Sequence, residues 1–104
     1  MEIVGKDQVD LKQVETDPIS VSRSSIVIHG ICKEVHLVSE SSAKIYGMVD
    51  YLTIDKSSAA EVFGIVKHAV NDGSLRIHGI VNTLDDPGNK AEIIKDAIVN
   101  GQHY

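Results

Sequence analysis

The amino-acid sequence predicts an all-β protein built as a short, single-domain β-solenoid, in which strands wind into coils that stack on one another. The chain has 104 residues, which is enough for one domain with one core. Its 26 Ile and Val residues far outnumber its 5 Leu residues, and β-branched side chains favour strands over helices. A pattern of aliphatic residues around a glycine also recurs at spacings of 17, 17 and 15 residues.

The repeat consists of a branched aliphatic residue, a ring-bearing residue, a glycine, a second aliphatic residue, and then Val or Cys. A period of this length is too short for a strand–helix–strand unit, which needs about 30 residues. It fits one coil of a right-handed β-helix, and we expect about five coils of 15–17 residues. The four copies are Ile28–Cys32, Ile45–Val49, Val62–Val66 and Ile77–Val81.

Two columns of alternating charge support this register. In stacked coils, residues at the same distance from successive glycines become neighbours, where each opposite-charge pair contributes about 0.2–1 kcal/mol and like charges repel. The charges three residues before and three residues after the glycines alternate in sign. They are Lys44, Glu61 and Arg76 before the glycines, and Lys33, Asp50 and Lys67 after them.

The chain divides into three parts around the repeat. Residues 1–24 lack the pattern and are predicted to form an irregular first coil or a cap, with strands near 9–11 and 19–21. Residues 25–84 hold the repeat coils. Residues 85–104 are predicted to form either a weak fifth coil, with Asp96 in place of the glycine, or a helical cap.

A small α+β domain is the alternative fold. Residues 58–70 place aliphatic side chains at helical spacing, with Gly73 as a stop signal. Residues 90–100, followed by Gly101, also fit a helix. If both segments were helical, the glycine repeat would be accidental.

Alternation along the strands predicts which columns of side chains face outward. The columns two residues before and two residues after the glycines are uniformly aliphatic or Cys, so we expect them to face the interior. The residues that flank each glycine should then face outward, although most of them are apolar. They form a ring column (His29, Tyr46, Phe63, His78) and an aliphatic column (Ile31, Met48, Ile65, Ile80), which together we call the corner stripe.

The corner stripe is the candidate functional surface. Monomeric proteins rarely leave an apolar patch of more than a few hundred Å² uncovered. The stripe therefore predicts a lateral interface with a second copy or with another protein partner. The competing interpretation is that the N-terminal segment or a C-terminal helix covers it.

Composition argues against several classes of function. The net charge is −5, aromatic residues make up 4%, and Lys and Arg do not cluster, so we expect no nucleic-acid binding. No apolar run approaches the length of a transmembrane segment, and the first residues do not resemble a signal peptide, so a cytoplasmic protein is expected. The single Cys32 excludes an internal disulfide framework and is interpreted as a core residue.

No catalytic, cofactor-binding or metal-binding residue is predicted. His29 and His78 share a column but lie three coils apart, roughly 14 Å, which is too far for two ligands of one zinc ion. His68 should stack over Tyr51 and Glu34 as a polar surface ladder. Because no catalytic motif is present, we expect a protein that is not an enzyme.

The repeat coils resemble those of two β-helical families. From Ile26 to Leu84, the pattern aliphatic-x-Gly-x-Val, then aliphatic-x-aliphatic and a small-residue corner, resembles bactofilins. That resemblance implies a right-handed β-helix that polymerises end to end without nucleotide, as a bacterial cytoskeletal element. Residues 58–64 and 71–81 are also similar to coils of the SufB and SufD β-helix core, which implies an iron–sulfur assembly scaffold.

The sequence therefore predicts a non-enzymatic scaffold that acts by self-association, as a homo-oligomer or polymer. The contact is expected along the corner stripe or at the ends of the solenoid. Two alternatives remain open at this point: an iron–sulfur assembly scaffold like SufB and SufD, which would depend on Cys32, and a small α+β binding domain.

Overall fold

The computed structural model, which describes residues 1–104, is a β-solenoid of six coils. All fifteen elements are strands, so the helical cap and the α+β alternative are wrong. No helix is present that could cross a membrane. In chain order the strands are β1 (Glu2–Val4), β2 (Val9–Leu11), β3 (Val14–Glu15), β4 (Ile19–Ser22), β5 (Ser25–Ile28), β6 (Ile31–Val38), β7 (Ser42–Ile45), β8 (Met48–Ile54), β9 (Ala59–Val62), β10 (Ile65–Asn71), β11 (Ser74–Ile77), β12 (Ile80–Asp85), β13 (Ala91–Ile93), β14 (Ile98–Val99) and β15 (Gln102–His103).

Each repeat coil contains a four-residue strand, a glycine corner, a longer strand and a second corner. The short strands stack in parallel in the order β13-β11-β9-β7-β5-β2. The longer strands stack in a second sheet, in the order β1-β4-β6-β8-β10-β12-β14-β15. The segment 58–70, which had fitted a helix, forms β9 and β10 with the Gly64 corner between them.

The predicted register of the repeat is confirmed. Ile28, Ile45, Val62 and Ile77 pair strand to strand, so the offset is 17, 17 and then 15 residues. The shorter last step arises at the second corner, because Asn71 pairs with Ile54 while Ser74 pairs with Ala59. This corner is therefore two residues shorter than the corner one coil earlier.

The interior is filled by the columns that the alternation predicts. The residues two positions before and two positions after the glycines are all fully buried. They belong to one cluster of 23 buried residues that runs through the solenoid. The eight residues are Ile28, Ile45, Val62 and Ile77 on one side of the corner, and Cys32, Val49, Val66 and Val81 on the other.

Residues 9–22 form a first coil in the register of the repeat, which raises the count to six. Strand β2 pairs with β5, and β3 and β4 pair with the two halves of β6. Gln13 occupies the corner position that glycine fills in later coils, because Val14 pairs with Ile31. Glycine is needed only where an earlier coil approaches the corner. Because β3 lies at the edge of its sheet, no earlier coil approaches Gln13, and a side chain fits there.

The last coil differs from its predicted alignment. Ile77 pairs with Ile93 and Ile80 pairs with Ile98, so residues 94–97 replace the two residues of the preceding corner. The inward columns therefore continue through Ile93 and Val99, not through Ile94 and Ile98. Asp96 and Asn100 have φ angles of 75° and 53°, which no right-handed helix contains, and the strands of 90–100 instead pair with β11 and β12. Strand β15 then folds back antiparallel onto β14.

Candidate interaction surface

The structure places all eight residues of the corner stripe in two outward columns. The aliphatic column is continuous, because Ile31, Met48, Ile65 and Ile80 pair strand to strand. Ile31 and Tyr46 are 46% and 49% exposed, and Phe63 is 37% exposed. Neither terminal segment covers these side chains, which removes the competing interpretation for this part of the stripe.

The four rings of the ring column stack face to face along the solenoid. The centroid distances are 5.4 Å from His29 to Tyr46, 4.9 Å from Tyr46 to Phe63 and 4.5 Å from Phe63 to His78. The planes of each pair lie within 9° of parallel. Strands in a sheet lie about 4.8 Å apart, which matches the spacing at which aromatic rings stack. The inner rings therefore cover each other's faces and present their edges outward.

The aliphatic column is longer than the sequence indicated. Val14 pairs with Ile31 at one end, and Ile98 pairs with Ile80 at the other. Val14 is 64% exposed. Sequence reasoning missed both residues because Gln13 stands where the glycine would be and residues 94–97 shift the last register. Val14 could have been found from its spacing to Ile31, which equals the repeat period of 17.

A groove of about 510 Å³ runs between the two columns. Its floor is lined by the backbone of Gly30, Gly47 and Gly64. His29 and Tyr46 line one wall, and aliphatic residues line the other. The corner stripe is therefore a grooved apolar surface that extends along the solenoid.

The ring column also borders a second groove, of about 740 Å³, over the sheet of short strands. Small side chains at Ser25, Ser42 and Ser74 lie along this groove. Charged residues follow at the next outward position, where Lys44 pairs with Glu61 and Glu61 with Arg76, as the sequence predicted. This charged column continues into the last coil, because Arg76 Nε lies 3.1 Å from Glu92 Oε2.

A hydrogen bond ties the stripe to one charged flank, and an ion pair links neighbouring coils within the other flank. His78 Nε2 lies 2.8 Å from Glu61 Oε2, so the last ring is held by the charged column beside it. On the other side of the stripe, Lys67 Nζ lies 3.5 Å from Asp50 Oδ1. Both carboxylates lie at the coil level next to their partners, so these contacts link neighbouring coils.

A polar cluster lies away from the stripe, on the outer face of β6 and β8. His36 Nδ1 lies 2.6 Å from Thr53 Oγ1, and His36 Nε2 lies 2.8 Å from Glu34 Oε2. This order of hydroxyl, imidazole and carboxylate is that of an activated nucleophile. The backbone beside it belongs to the parallel ladder of β6 and β8. The cluster links β6 and β8. It shares Glu34 with the predicted ladder, in which Glu34 pairs with Tyr51 and Tyr51 pairs with His68.

No protein family, curated protein or solved structure matches the chain. The β-helical architecture thus rests on the strand register described above. Neither the resemblance to bactofilins nor that to SufB and SufD gains support from a match.

Cys32 lies in the core, with no exposed surface. Burial raises the pKa of its thiol, and the carboxylate of Glu15, at the paired position of the first coil, raises it further. The thiol is therefore protonated at neutral pH, which is unfavourable for a cluster ligand. No three His, Cys, Asp or Glu side chains converge in the way a metal site requires.

Proposed function

We propose that this protein is a non-enzymatic cytoplasmic scaffold that acts by self-association, with the corner stripe of one copy packed against that of a second. The observation that carries the proposal is the line of exposed and half-buried apolar side chains beside a groove whose floor is glycine backbone. Removal of apolar surface from water contributes roughly 25 cal/mol per Å². A second copy supplies a surface of the same length and composition.

Features at both ends of the solenoid favour a lateral contact over the end-to-end growth that the bactofilin resemblance implies. At the first coil, Glu15 pairs with Cys32 and is half-buried at the end of an inward column. Another coil stacked there would desolvate this carboxylate without a partner. At the last coil, β15 occupies the edge of the longer-stranded sheet by antiparallel pairing with β14.

The test is the oligomeric state, measured by sedimentation and by light scattering on a sizing column over a hundredfold range of concentration. We expect the wild-type chain to form dimers or larger assemblies. The double variant Phe63→Glu and Ile65→Glu should be monomeric, with an unchanged far-UV circular dichroism spectrum. A wild-type chain that stays monomeric at every concentration would overturn the proposal.

The matched control is Tyr51→Glu. Tyr51 is as exposed as Phe63, at 36%, but lies on the face that carries His36 and His68. Like Phe63→Glu taken alone, this change removes one aromatic side chain and adds one negative charge, and it should leave the oligomeric state unchanged. If Tyr51→Glu also yields monomers, another face contributes to the contact.

A further inference from the structure

We propose that two copies pair side by side with parallel solenoid axes, related by a two-fold axis that runs along the corner stripe. This inference rests on the proposed self-association and specifies its geometry. It is carried by the two charged columns that flank the stripe, one on the side of the rings and one on the side of the aliphatic residues.

The flanking charges have opposite signs at each of the two central coils. At the level of Gly47, Lys44 lies on the ring side and Asp50 on the aliphatic side. At the level of Gly64 the order is reversed, with Glu61 on the ring side and Lys67 on the aliphatic side. Each coil is thus positive on one flank and negative on the other.

A two-fold axis parallel to the solenoid exchanges the two flanks and keeps every coil at its own level. The ring column of one copy then faces the aliphatic column of the second copy. Lys44 faces Asp50 of the second copy, and Glu61 faces Lys67 of the second copy. Symmetry doubles these contacts, so four opposite-charge pairs border the apolar contact.

The remaining coils bring no like charges together in this arrangement. At the level of Gly30, the uncharged Val27 faces Lys33 of the second copy, and at the level of Gly79, Arg76 faces the neutral Asn82. In the outer coils the acidic residues also face neutral ones. The outer pairs are Asp10 with Thr16 and Glu92 with Asn100.

An antiparallel pair is less favourable. A two-fold axis perpendicular to the solenoid reverses the order of the coils. Lys44 would then meet Glu61 and Asp50 would meet Lys67, which gives as many opposite-charge pairs as the parallel arrangement, but Asp10 would meet Glu92 of the second copy. Like charges would then face each other at both ends, and such contacts oppose a specific orientation. The rings would also meet rings, which leaves the smaller aliphatic side chains facing one another across a gap.

The dimensions indicate that the charged columns belong to the contact. Six coils extend about 24 Å, and the seven residues from one charged column to the other follow about 20 Å of chain around the glycine corner, which is the upper limit of the width. A face of that size on each copy gives at most about 1,000 Å² in total, near the lower limit for a specific interface. The apolar columns alone cover less than half of this area.

The test mixes single charge variants. Lys44→Glu and Asp50→Lys should each weaken self-association by about tenfold, because each brings like charges together twice in a symmetric pair. In a mixture of the two, Glu at 44 faces Lys at 50, and the native Lys44 faces the native Asp50. We expect the mixture to associate within about threefold of the wild-type dissociation constant, as measured by sedimentation.

The mixture of Lys44→Glu with Glu61→Lys is the control for orientation. In the parallel pair, this mixture places the new Glu at position 44 against Asp50, so association should stay weak. In an antiparallel pair, the same mixture would restore association. If Glu61→Lys restores the association of Lys44→Glu and Asp50→Lys does not, the parallel arrangement is overturned and the proposed self-association stands. Equal association of all variants would exclude the charged columns from the contact, and a monomeric wild type would remove both proposals.

Discussion

A β-carbon placed on Gly47 would lie 2.0 Å from the carbonyl oxygen of Gly30, the corner residue of the coil before it. The carbonyl oxygen of His29 would be 2.7 Å away. Both obstacles are backbone atoms, which cannot move without separating the two coils. The glycine column is therefore required by the close approach of successive coils, and it also forms the floor of the apolar groove.

Gly47→Ala is expected to destabilise the fold by about 1–3 kcal/mol or more, because the coils must shift apart at this corner. Chemical denaturation measures the change in the free energy of unfolding. The control is Gly88→Ala, where the added β-carbon would meet only the flexible side chain of Lys90, at 3.1 Å. Equal effects of the two substitutions would contradict the role of close approach.

Glu61→Lys is expected to lower the free energy of unfolding by about 0.5–2 kcal/mol. The variant places three positive charges in one column, between Lys44 and Arg76, and removes the contact between Glu61 and His78. Thermal unfolding measures the effect. The control is Glu40→Lys, which makes the same change of net charge at an exposed corner and should shift the midpoint much less. An unshifted midpoint for Glu61→Lys would contradict a stabilising role for the charged column.

Cys32→Val should retain the wild-type stability near neutral pH, because valine fills the same inward column at Val49, Val66 and Val81. Above about pH 8.5 the thiol of the unfolded chain ionises, while burial and Glu15 hold the pKa of the folded thiol higher. The wild type then loses stability as pH rises, whereas the valine variant has no thiol to ionise and does not lose stability in this way.

The difference between the two unfolding midpoints should therefore widen from pH 7 to pH 10 in favour of Cys32→Val. Native Cys32 should also react with a thiol reagent no faster than the chain opens. Rapid modification of the folded protein would contradict the buried position and would revive the iron–sulfur alternative.

Asp55 should make stability depend on pH in the acid range. Burial raises the pKa of this carboxyl, but hydrogen bonds from the Ser58 side chain, the Ser39 N–H and Ser57 outweigh it and leave the pKa below its usual value. The backbone N–H groups of Ser39 and Ser57 lie 3.0 and 3.1 Å from its oxygens. The resulting stabilisation is present above about pH 3.9 and is lost as pH falls through the lower, folded value.

Asp55→Asn should thus be less stable than the wild type at pH 7, and the difference should shrink as the pH approaches 2.5. Urea unfolding at a series of pH values measures this. The control is Asp17→Asn, whose carboxylate makes no ion pair in the structure. Parallel pH curves for the wild type and Asp55→Asn would show that these hydrogen bonds do not stabilise the charged form.

The repeat coils could be predicted because every coil must present the same residue types to the same neighbours. The first and last coils could not, because their neighbours differ. Gln13 stands where later coils have glycine, and Glu15 stands where they have a buried aliphatic residue or Cys. Both are tolerated because the first coil has no coil stacked on its outer side. Asn71 also interrupts an aliphatic column, since its side chain accepts a bond from the Gly73 N–H and donates to Asp86.

The sequence alone determined which side chains face inward, because alternation is a local property of each strand and the 17-residue period repeats it coil by coil. It also determined the register of the charged columns. Only the tertiary structure decided that the rings stack face to face, that Glu61 contacts His78, and that Ile31, Tyr46 and Phe63 of the corner stripe stay exposed. Those outcomes depend on the distance between coils, on side-chain rotamers and on the paths of the terminal segments, none of which local alternation specifies.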